Sequence, residues 1–166
     1  MQVCFIGHRT LRIDEELITS LKKTIIELIK KGATTFLFGS KSEFDDLSWK
    51  IVTEIKETYP FIKRVYVRSA YQYIDKHYEK YLLEHYEETY FPLKLEKAGK
   101  CSYVERNYEM VDISTYCVFY YNENYVPMLK QQPKHGSLLP PNRKSGTKIA
   151  YNYAVKRRRT IINLYK

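Results

Sequence analysis

Three short turns, each with a glycine beside hydrogen-bond donors, are the segments of this sequence best suited to bind an anionic ligand. They are Gly7-His8-Arg9, Gly39-Ser40 and Ser145-Gly146-Thr147. Each lies at or near the junction between a predicted strand, or the loop after it, and a predicted helix. Glycine lets a phosphate approach the backbone closely, and a helix N-terminus presents unpaired N–H groups and a positive dipole end. Because the carboxyl ends of parallel strands share one edge of a sheet, the three turns can converge on a nucleotide or sugar-phosphate.

Basic side chains near these turns are candidates for holding the phosphate. Arg9 and Arg106 each offer a planar fork of donors, and Arg9 is the stronger candidate because it directly follows a predicted strand. Arg106 has a structural alternative, since it can pair with Glu109 or Asp112 on its own predicted helix. His8 is interpreted either as a general acid or phosphate ligand, or as a structural histidine at a strand end.

Acidic side chains in the second turn are candidates for a different task. Glu43 and Asp45 could hold the two hydroxyls of a ribose or serve as acid and base. Asp45 has a structural alternative as a cap of the helix that follows. His77 and His85 do not have the spacing of paired ligands on a helix, and no cysteine joins them. We therefore expect no metal site and no bound cofactor.

The hydrophobic pattern predicts an α/β fold. Continuous apolar runs are typical of strands buried on both faces, and amphipathic segments between them predict helices. Strands are predicted at 3–6, 36–38, 64–68, 115–121 and 160–164, with a short edge segment at 90–93 and a helix at 73–86. The order of these elements is typical of one domain over 1–166, with a mostly parallel sheet of about five strands between helices. Residues 122–144 are predicted to form a long loop, which is either a functional lid or disordered.

The composition narrows the classes of partner. A net charge of +9 favours polyanionic ligands, although the charged side chains could also simply solvate helix faces. The 17 tyrosines predict half-buried rings along the surface or a cleft. Three cysteines indicate reduced thiols rather than a disulfide framework. We expect a cytoplasmic protein without a signal peptide or a contact with a membrane, because no apolar run could span a bilayer and the N-terminus enters a strand at once.

Several motifs resemble the YpsA-like branch of the SLOG superfamily of Rossmann-like domains. The matching segments are Val3–Arg9, Gly32–Gly39 with Phe44-Asp45, Arg106-Asn107 with Met110, Val111 and Ser114, Ser145-Gly146-Thr147 with Ala150 and Ala154, and Ile161–Leu164. The resemblance implies a single Rossmann-like three-layer domain that binds nucleotides or nucleotide-derived molecules such as ADP-ribose. It also implies that Asn107 belongs to the site.

One position separates binding from catalysis. The LOG phosphoribohydrolases of the same superfamily carry a glutamate where this chain has Ala150, and alanine cannot stabilise a ribosyl cation or act as a base. The leading expectation is therefore a non-catalytic binding or sensing domain for a nucleotide-derived small molecule. The first alternative is an N-glycosidic hydrolase in which Glu43 or Glu109 replaces the missing glutamate.

The second alternative is a nucleic-acid or protein interaction module. It would use the basic end of the last helix, Lys156–Arg159, with Tyr151 and Tyr153 for stacking. The DprA-like branch of the same superfamily binds single-stranded DNA, which supports this alternative. The charge shows no repeated basic-aromatic pattern, so a nucleic-acid partner is the weaker expectation. A protein partner and a homo-oligomer stay open.

Overall fold

The protein forms a six-stranded sheet with helices on both faces. The computed structural model describes residues 1–166 except Ser40, Ala98 and 127–144. In chain order the elements are β1 (Gln2–Gly7), α1 (Glu15–Lys30), β2 (Thr35–Phe38), α2 (Glu43–Thr58), β3 (Lys63–Val67), α3 (Lys76–His85), β4 (Glu88–Tyr90), α4 (Ser102–Ile113), β5 (Tyr116–Tyr120), α5 (Gly146–Lys156) and β6 (Thr160–Asn163). Two short 3-10 turns, Leu93–Lys97 and Gly99–Cys101, precede α4.

All neighbouring strands run parallel, in the order β4-β3-β2-β1-β5-β6. Cys4 of β1 pairs with Leu37 of β2 on one side and with Cys117 of β5 on the other. From β1 the chain builds outward to β4 and then returns to add β5 on the opposite side of β1. Open α/β sheets commonly bind ligands at the carboxyl ends of the strands where the order reverses in this way. We call the space beside His8 and Asn122, which follow β1 and β5, the β1–β5 crevice.

The two faces of the sheet carry separate apolar clusters. On one face, α1 and α2 pack against phenylalanines of β1 and β2, and on the other α4 and α5 pack against Phe119 and mostly smaller side chains. Gly7 ends β1 directly beneath the first turn of α2. A Cβ at Gly7 would lie 2.4 Å from the Cβ of Phe44, so this glycine lets α2 pack on the end of β1.

Side-chain caps fix the start of four helices. Asp14, Ser42, Asp75 and Ser145 each accept the backbone N–H three residues further along. Such caps satisfy donors that have no partner inside the helix. Because each capped helix follows a parallel strand or its loop, these N-termini lie at the carboxyl edge of the sheet.

The predicted α/β architecture with a parallel, Rossmann-like sheet is confirmed. The sheet has six strands rather than about five, because the predicted edge segment at 90–93 is a parallel strand at Glu88–Tyr90. The helix predicted at 73–86 is shorter and covers Lys76–His85. Of the predicted loop at 122–144, residues 122–126 are described and the others lie outside the described residues. In the described part of the chain, no helix has the length and apolar character needed to cross a membrane.

Candidate ligand-binding cleft

A cleft lies above the carboxyl ends of β2 and β3, between α2 and α3. It consists of two adjoining cavities of about 530 and about 890 Å³, which share Lys41, Tyr66 and Tyr78 in their walls. Cavities of this size are typical of sites for small organic ligands. We call the two cavities together the Lys41 cleft.

The walls of the Lys41 cleft combine aromatic rings with charges of both signs. To the shared residues the smaller cavity adds Gly39, Arg68, Ser69, Ala70, Tyr71, Tyr73, Ile74, Asp75 and Tyr103. The larger cavity adds Arg9, Ser42, Glu43, Asp45, Asp46, Trp49, Lys50, Tyr81, Leu82, His85 and Tyr86. Aromatic faces suit stacking with a planar ring, and basic side chains suit an anionic group.

The helices α2 and α3 both begin at the cleft. Their caps, Ser42 and Asp75, lie in its walls. The rings of Tyr78 and Tyr81 follow one side of α3 and stack with centroids 6.2 Å apart and planes 13° apart. Burial raises the pKa of Tyr66 on the floor of the cleft, so its hydroxyl stays neutral at physiological pH and can donate a hydrogen bond.

Arg106 supports the cleft from below and is only 2% exposed. Its Nη1 donates to the carbonyl of Gly39 and lies 3.5 Å from the carbonyl oxygen of Val67, at the ends of β2 and β3. Its Nε donates to Oδ1 of Asn107 at 3.0 Å. Burial lowers the pKa of Arg106, while the nearby carboxylate of Asp45 acts in the opposite direction. The side chain turns toward the sheet and not toward Glu109 or Asp112, the partners of the structural alternative.

Glu43 joins the loop after β1 to the start of α2. Its Oε2 accepts the N–H of Leu11 at 2.9 Å, and its own N–H donates to the carbonyl of Arg9 at 3.0 Å. Asp45 is buried, and its Oδ1 lies 3.5 Å from the nitrogen of Gly39. The helix cap is Ser42 rather than Asp45, which corrects the expected capping alternative.

Asp46 and Arg9 are two of the exposed charged residues of this cleft. Both line the larger cavity. Burial against the cavity wall and the charge of Glu43 raise the pKa of Asp46. The other acidic candidate, Glu109, lies elsewhere on α4, where its Oε2 is 3.0 Å from Nζ of Lys94.

The first predicted turn divides between two places. Gly7 packs on α2 and Arg9 reaches the Lys41 cleft, whereas His8 lies in the β1–β5 crevice and is 1% exposed. The N–H of Asn122 donates to Nε2 of His8 at 2.8 Å, and the ring of Tyr125 stacks on the imidazole at 3.9 Å. Burial lowers the pKa of His8, so its ring is neutral at pH 7.

The third predicted turn lies beside β5, away from the Lys41 cleft. Ser145 caps α5, and Thr147 is buried in its first turn. One turn further along, Tyr151 stacks on Tyr121 with centroids 4.4 Å apart. Gly146 has open space around its Cα. The Lys41 cleft therefore brings together Arg9, Gly39, Glu43 and Asp45 with Arg106 and Asn107 beneath it, and Ser40 lies outside the described residues.

The sequence interpretation missed the aromatic residues of the cleft. Tyr71, Tyr73 and Tyr103 surround the smaller cavity and are 77%, 86% and 61% exposed. The excess of tyrosine predicts rings along a cleft, but it does not identify which ones. A cluster of tyrosines directly after a strand of a parallel sheet is the signal that could have found them.

The basic end of α5 is already engaged within the protein. Arg157 donates to Asp112 at 2.8 Å, and Arg159 donates to the carbonyl of the same residue. Tyr153 donates to Asp112 and stacks on Tyr108 at 3.8 Å. These contacts leave less of the predicted basic-aromatic surface for a partner.

No family model and no curated protein matches the sequence. Among solved structures, the fold is similar to DNA processing protein A from Helicobacter pylori, which was described for its single-stranded DNA binding mode. The TM-score is 0.54 at 17% identity, over 97% of this chain and 63% of that chain. This similarity extends the Rossmann-like fold over nearly the whole sequence, and the chain spans less than two thirds of that protein's length.

Proposed function

We propose that the Lys41 cleft binds a nucleotide or a nucleotide-derived molecule such as ADP-ribose, and that the protein senses this ligand. One observation carries the proposal: tyrosine rings and Lys41 line a cavity at the carboxyl edge of a parallel sheet, beside the N-terminus of α2. A base can stack on the rings, and a phosphate can meet Lys41 and the positive end of the helix.

The charges of the larger cavity fit the remaining parts of such a ligand. Lys50 and Arg9 lie in the same cavity as Lys41 and can neutralise a second phosphate. Asp46 is exposed there, and a carboxylate is the usual partner of paired ribose hydroxyls. Asp46 therefore takes the ribose-binding task that the sequence interpretation gave to Glu43 or Asp45.

Two contacts support binding over N-glycosidic hydrolysis. Glu43 accepts a backbone N–H from Leu11, and Glu109 pairs with Lys94, so both candidate acids have structural partners. Ala150 is buried in α5 and offers no carboxylate.

The YpsA-like motifs and the similarity to DNA processing protein A support a place in the SLOG superfamily. The three free cysteines support a reducing, cytoplasmic location.

Removing the Lys41 amine tests the proposal. We expect calorimetry against ADP-ribose, NAD and AMP to detect binding, and Lys41→Ala to weaken it by about 10-fold or more, because a hydrogen bond to a charged group contributes about 1.5–3 kcal/mol. Tyr78→Ala should also weaken binding, whereas Tyr78→Phe keeps the ring and should retain it. Lys23→Ala on α1 is the matched control for the loss of one positive charge. Silence across the panel, or equal affinity of the two lysine variants, would refute the proposal.

Single-stranded nucleic acid is a second candidate ligand, and the exposed tyrosines favour it. Tyr71 has a φ of 61°, which is uncommon for a bulky residue, and Arg68 Nη1 donates to its carbonyl at 3.1 Å. The chain thus holds an unfavourable backbone conformation at a tyrosine that faces solvent. Exposed rings beside basic residues form stacking platforms for unpaired bases. The similar fold of DNA processing protein A adds support.

A salt titration separates this candidate from the first. If nucleic acid binds, anisotropy of a labelled oligothymidine should rise with protein, and affinity should fall with salt at a slope of about −0.7 per phosphate contacted. Tyr71→Ala combined with Tyr73→Ala should weaken it, by about 1–3 kcal/mol for each base that loses its stack. A variant with Tyr59→Ala, a partly buried ring at the opposite end of α2 that contacts Phe61, is the comparison. An unchanged anisotropy removes this candidate without affecting the first.

A further inference from the structure

The β1–β5 crevice is covered by a turn of the chain itself. In this turn the N–H of Asn124 donates to Oδ1 of Asn122 at 2.9 Å, and the N–H of Tyr125 donates to the Asn122 carbonyl at 3.2 Å. The turn brings Tyr125 over His8, with the two ring planes 15° apart and the centroids 3.9 Å apart. A ring therefore lies where the strand order reverses, which is the place that open α/β sheets commonly offer to a ligand.

His8 provides a complete platform for a planar ring. Asn122 holds its Nε2 through an N–H at 2.8 Å, closer than the Asn122 carbonyl oxygen at 3.1 Å. The shorter contact makes Nε2 the acceptor and puts the imidazole proton on Nδ1. Among the described residues, no acceptor meets this buried Nδ1. Buried polar atoms of this kind are rare and call for an explanation, and a ligand atom is one.

We propose that His8 and the ends of β1 and β5 form a second binding site, for a planar heteroaromatic ring of the nucleobase class, which Tyr125 occupies in this structure. The Tyr125 ring and its hydroxyl, which shares a hydrogen bond of 3.1 Å with Thr10 Oγ1, imitate a ring with a polar edge. A nucleobase offers the same flat face, and a substituent that extends past its edge can accept from the Nδ1–H, which lies in the plane of the imidazole. It displaces Tyr125 by moving residues 123–125, which no strand pairing holds in place, while Asn122 keeps its hydrogen bond to His8.

The site differs from the Lys41 cleft, so it can be tested separately. Its reporter is the rate at which diethyl pyrocarbonate acylates His8, read by mass spectrometry of peptides and normalised to exposed His77. The reagent attacks neutral imidazole, and this is the form of His8 at pH 7. In the native protein the Tyr125 ring has to move away before the reagent can reach His8. We therefore expect Tyr125→Ala to raise the His8 rate about 10-fold or more over the native protein, and a 10-fold rise corresponds to an opening free energy of about 1.4 kcal/mol. Tyr125→Phe keeps the ring and loses the hydroxyl contact with Thr10, so it should raise the rate by a much smaller factor than Tyr125→Ala.

Small aromatic molecules added to the Tyr125→Ala protein then test which rings the site accepts. In Tyr125→Ala, millimolar phenol should protect His8 by replacing the missing ring, and adenosine should protect it by about threefold or more if a nucleobase fits. Protection by phenol alone would overturn the proposal, because the position would then accept only the ring of its own chain. An unchanged His8 rate in Tyr125→Ala would overturn it as well.

A milder variant keeps the test valid if Tyr125→Ala does not fold. Thr10→Val removes the hydroxyl contact with Tyr125 and leaves both rings in place. It should raise the His8 rate by a smaller factor, and adenosine should suppress that rise. A Thr10→Val rate equal to the native rate, or a rise that adenosine leaves unchanged, would count against the proposal. Neither result depends on whether ADP-ribose binds in the Lys41 cleft.

Discussion

Replacing Arg106 with methionine is expected to lower the free energy of unfolding by about 3–5 kcal/mol, the range for breaking a buried charged contact. Methionine has a similar length but cannot donate to the carbonyl of Gly39 or to that of Val67. It also removes the positive charge that faces the buried carboxylate of Asp45. Urea denaturation followed by circular dichroism measures the loss.

Two further variants make the Arg106 result specific. Arg106→Lys keeps the charge but replaces the guanidinium with a single ammonium group, so it should lower the free energy of unfolding less, by about 1–3 kcal/mol. Arg12→Met removes an exposed arginine at the start of the sequence and should stay within about 0.5 kcal/mol of the native protein. If Arg106→Met lowered the free energy of unfolding no more than Arg12→Met does, Arg106 would not be a support beneath the cleft. A folded Arg106→Met protein should also lose the affinity of the Lys41 cleft, because the ends of β2 and β3 form its floor.

Replacing Phe5 with alanine is expected to lower the free energy of unfolding by about 3–5 kcal/mol, the usual cost of truncating a buried phenylalanine. Phe5 is fully buried in the centre of the sheet. Its ring lies 5.3 Å from that of Phe38, 6.0 Å from that of Phe36 and 6.4 Å from that of Phe44. These rings belong to β2 and α2 and cannot close the gap without moving both elements. The same denaturation experiment measures the effect.

Phe61→Ala is the matched control for the loss of a phenylalanine ring. Phe61 is 57% exposed, and its truncation should change stability by about 0.5 kcal/mol or less. Phe5→Leu keeps most of the side-chain volume, so its loss of unfolding free energy should lie between those of Phe5→Ala and Phe61→Ala, at about 1.5 kcal/mol. A Phe5→Ala protein as stable as Phe61→Ala would mean that the rings do not pack as described.

The fold could be predicted well because its signals are local. Apolar runs such as 36–38 have the length of buried strands, and Asp14 and Ser145, residue types that commonly cap helices, stand directly before α1 and α5. The segment at 90–93 was harder, because β4 has three residues and only its pairing with β3 shows that it is a strand. Short edge strands carry little periodicity, so their existence depends on tertiary contacts.

The site was predicted less completely, because side-chain direction is decided by packing. Arg9 lines the larger cavity of the cleft, whereas the neighbouring His8 turns into the β1–β5 crevice. Successive residues of an extended segment point to opposite sides, so one glycine turn can supply two different places. Arg106 illustrates the same limit: its type suggests a phosphate ligand, yet it is buried against backbone carbonyls. The predicted ligand contacts of these residues stay predictions.

The central position of β1 has a consequence for the order in which the chain assembles. Cys4 meets Leu37 early in synthesis, but its other neighbour, Cys117, is made only after α1–α4 have been synthesised. Forming a contact across such a long loop is slow. Until it forms, the unpaired N–H and C=O groups along this edge of β1 can pair with another chain. The N-terminal half with β1–β4 therefore has to hold together first, and the β5-facing edge of β1 is the last large part of the sheet to be completed. Slowed translation before residue 116 should lengthen that exposed interval and favour aggregation.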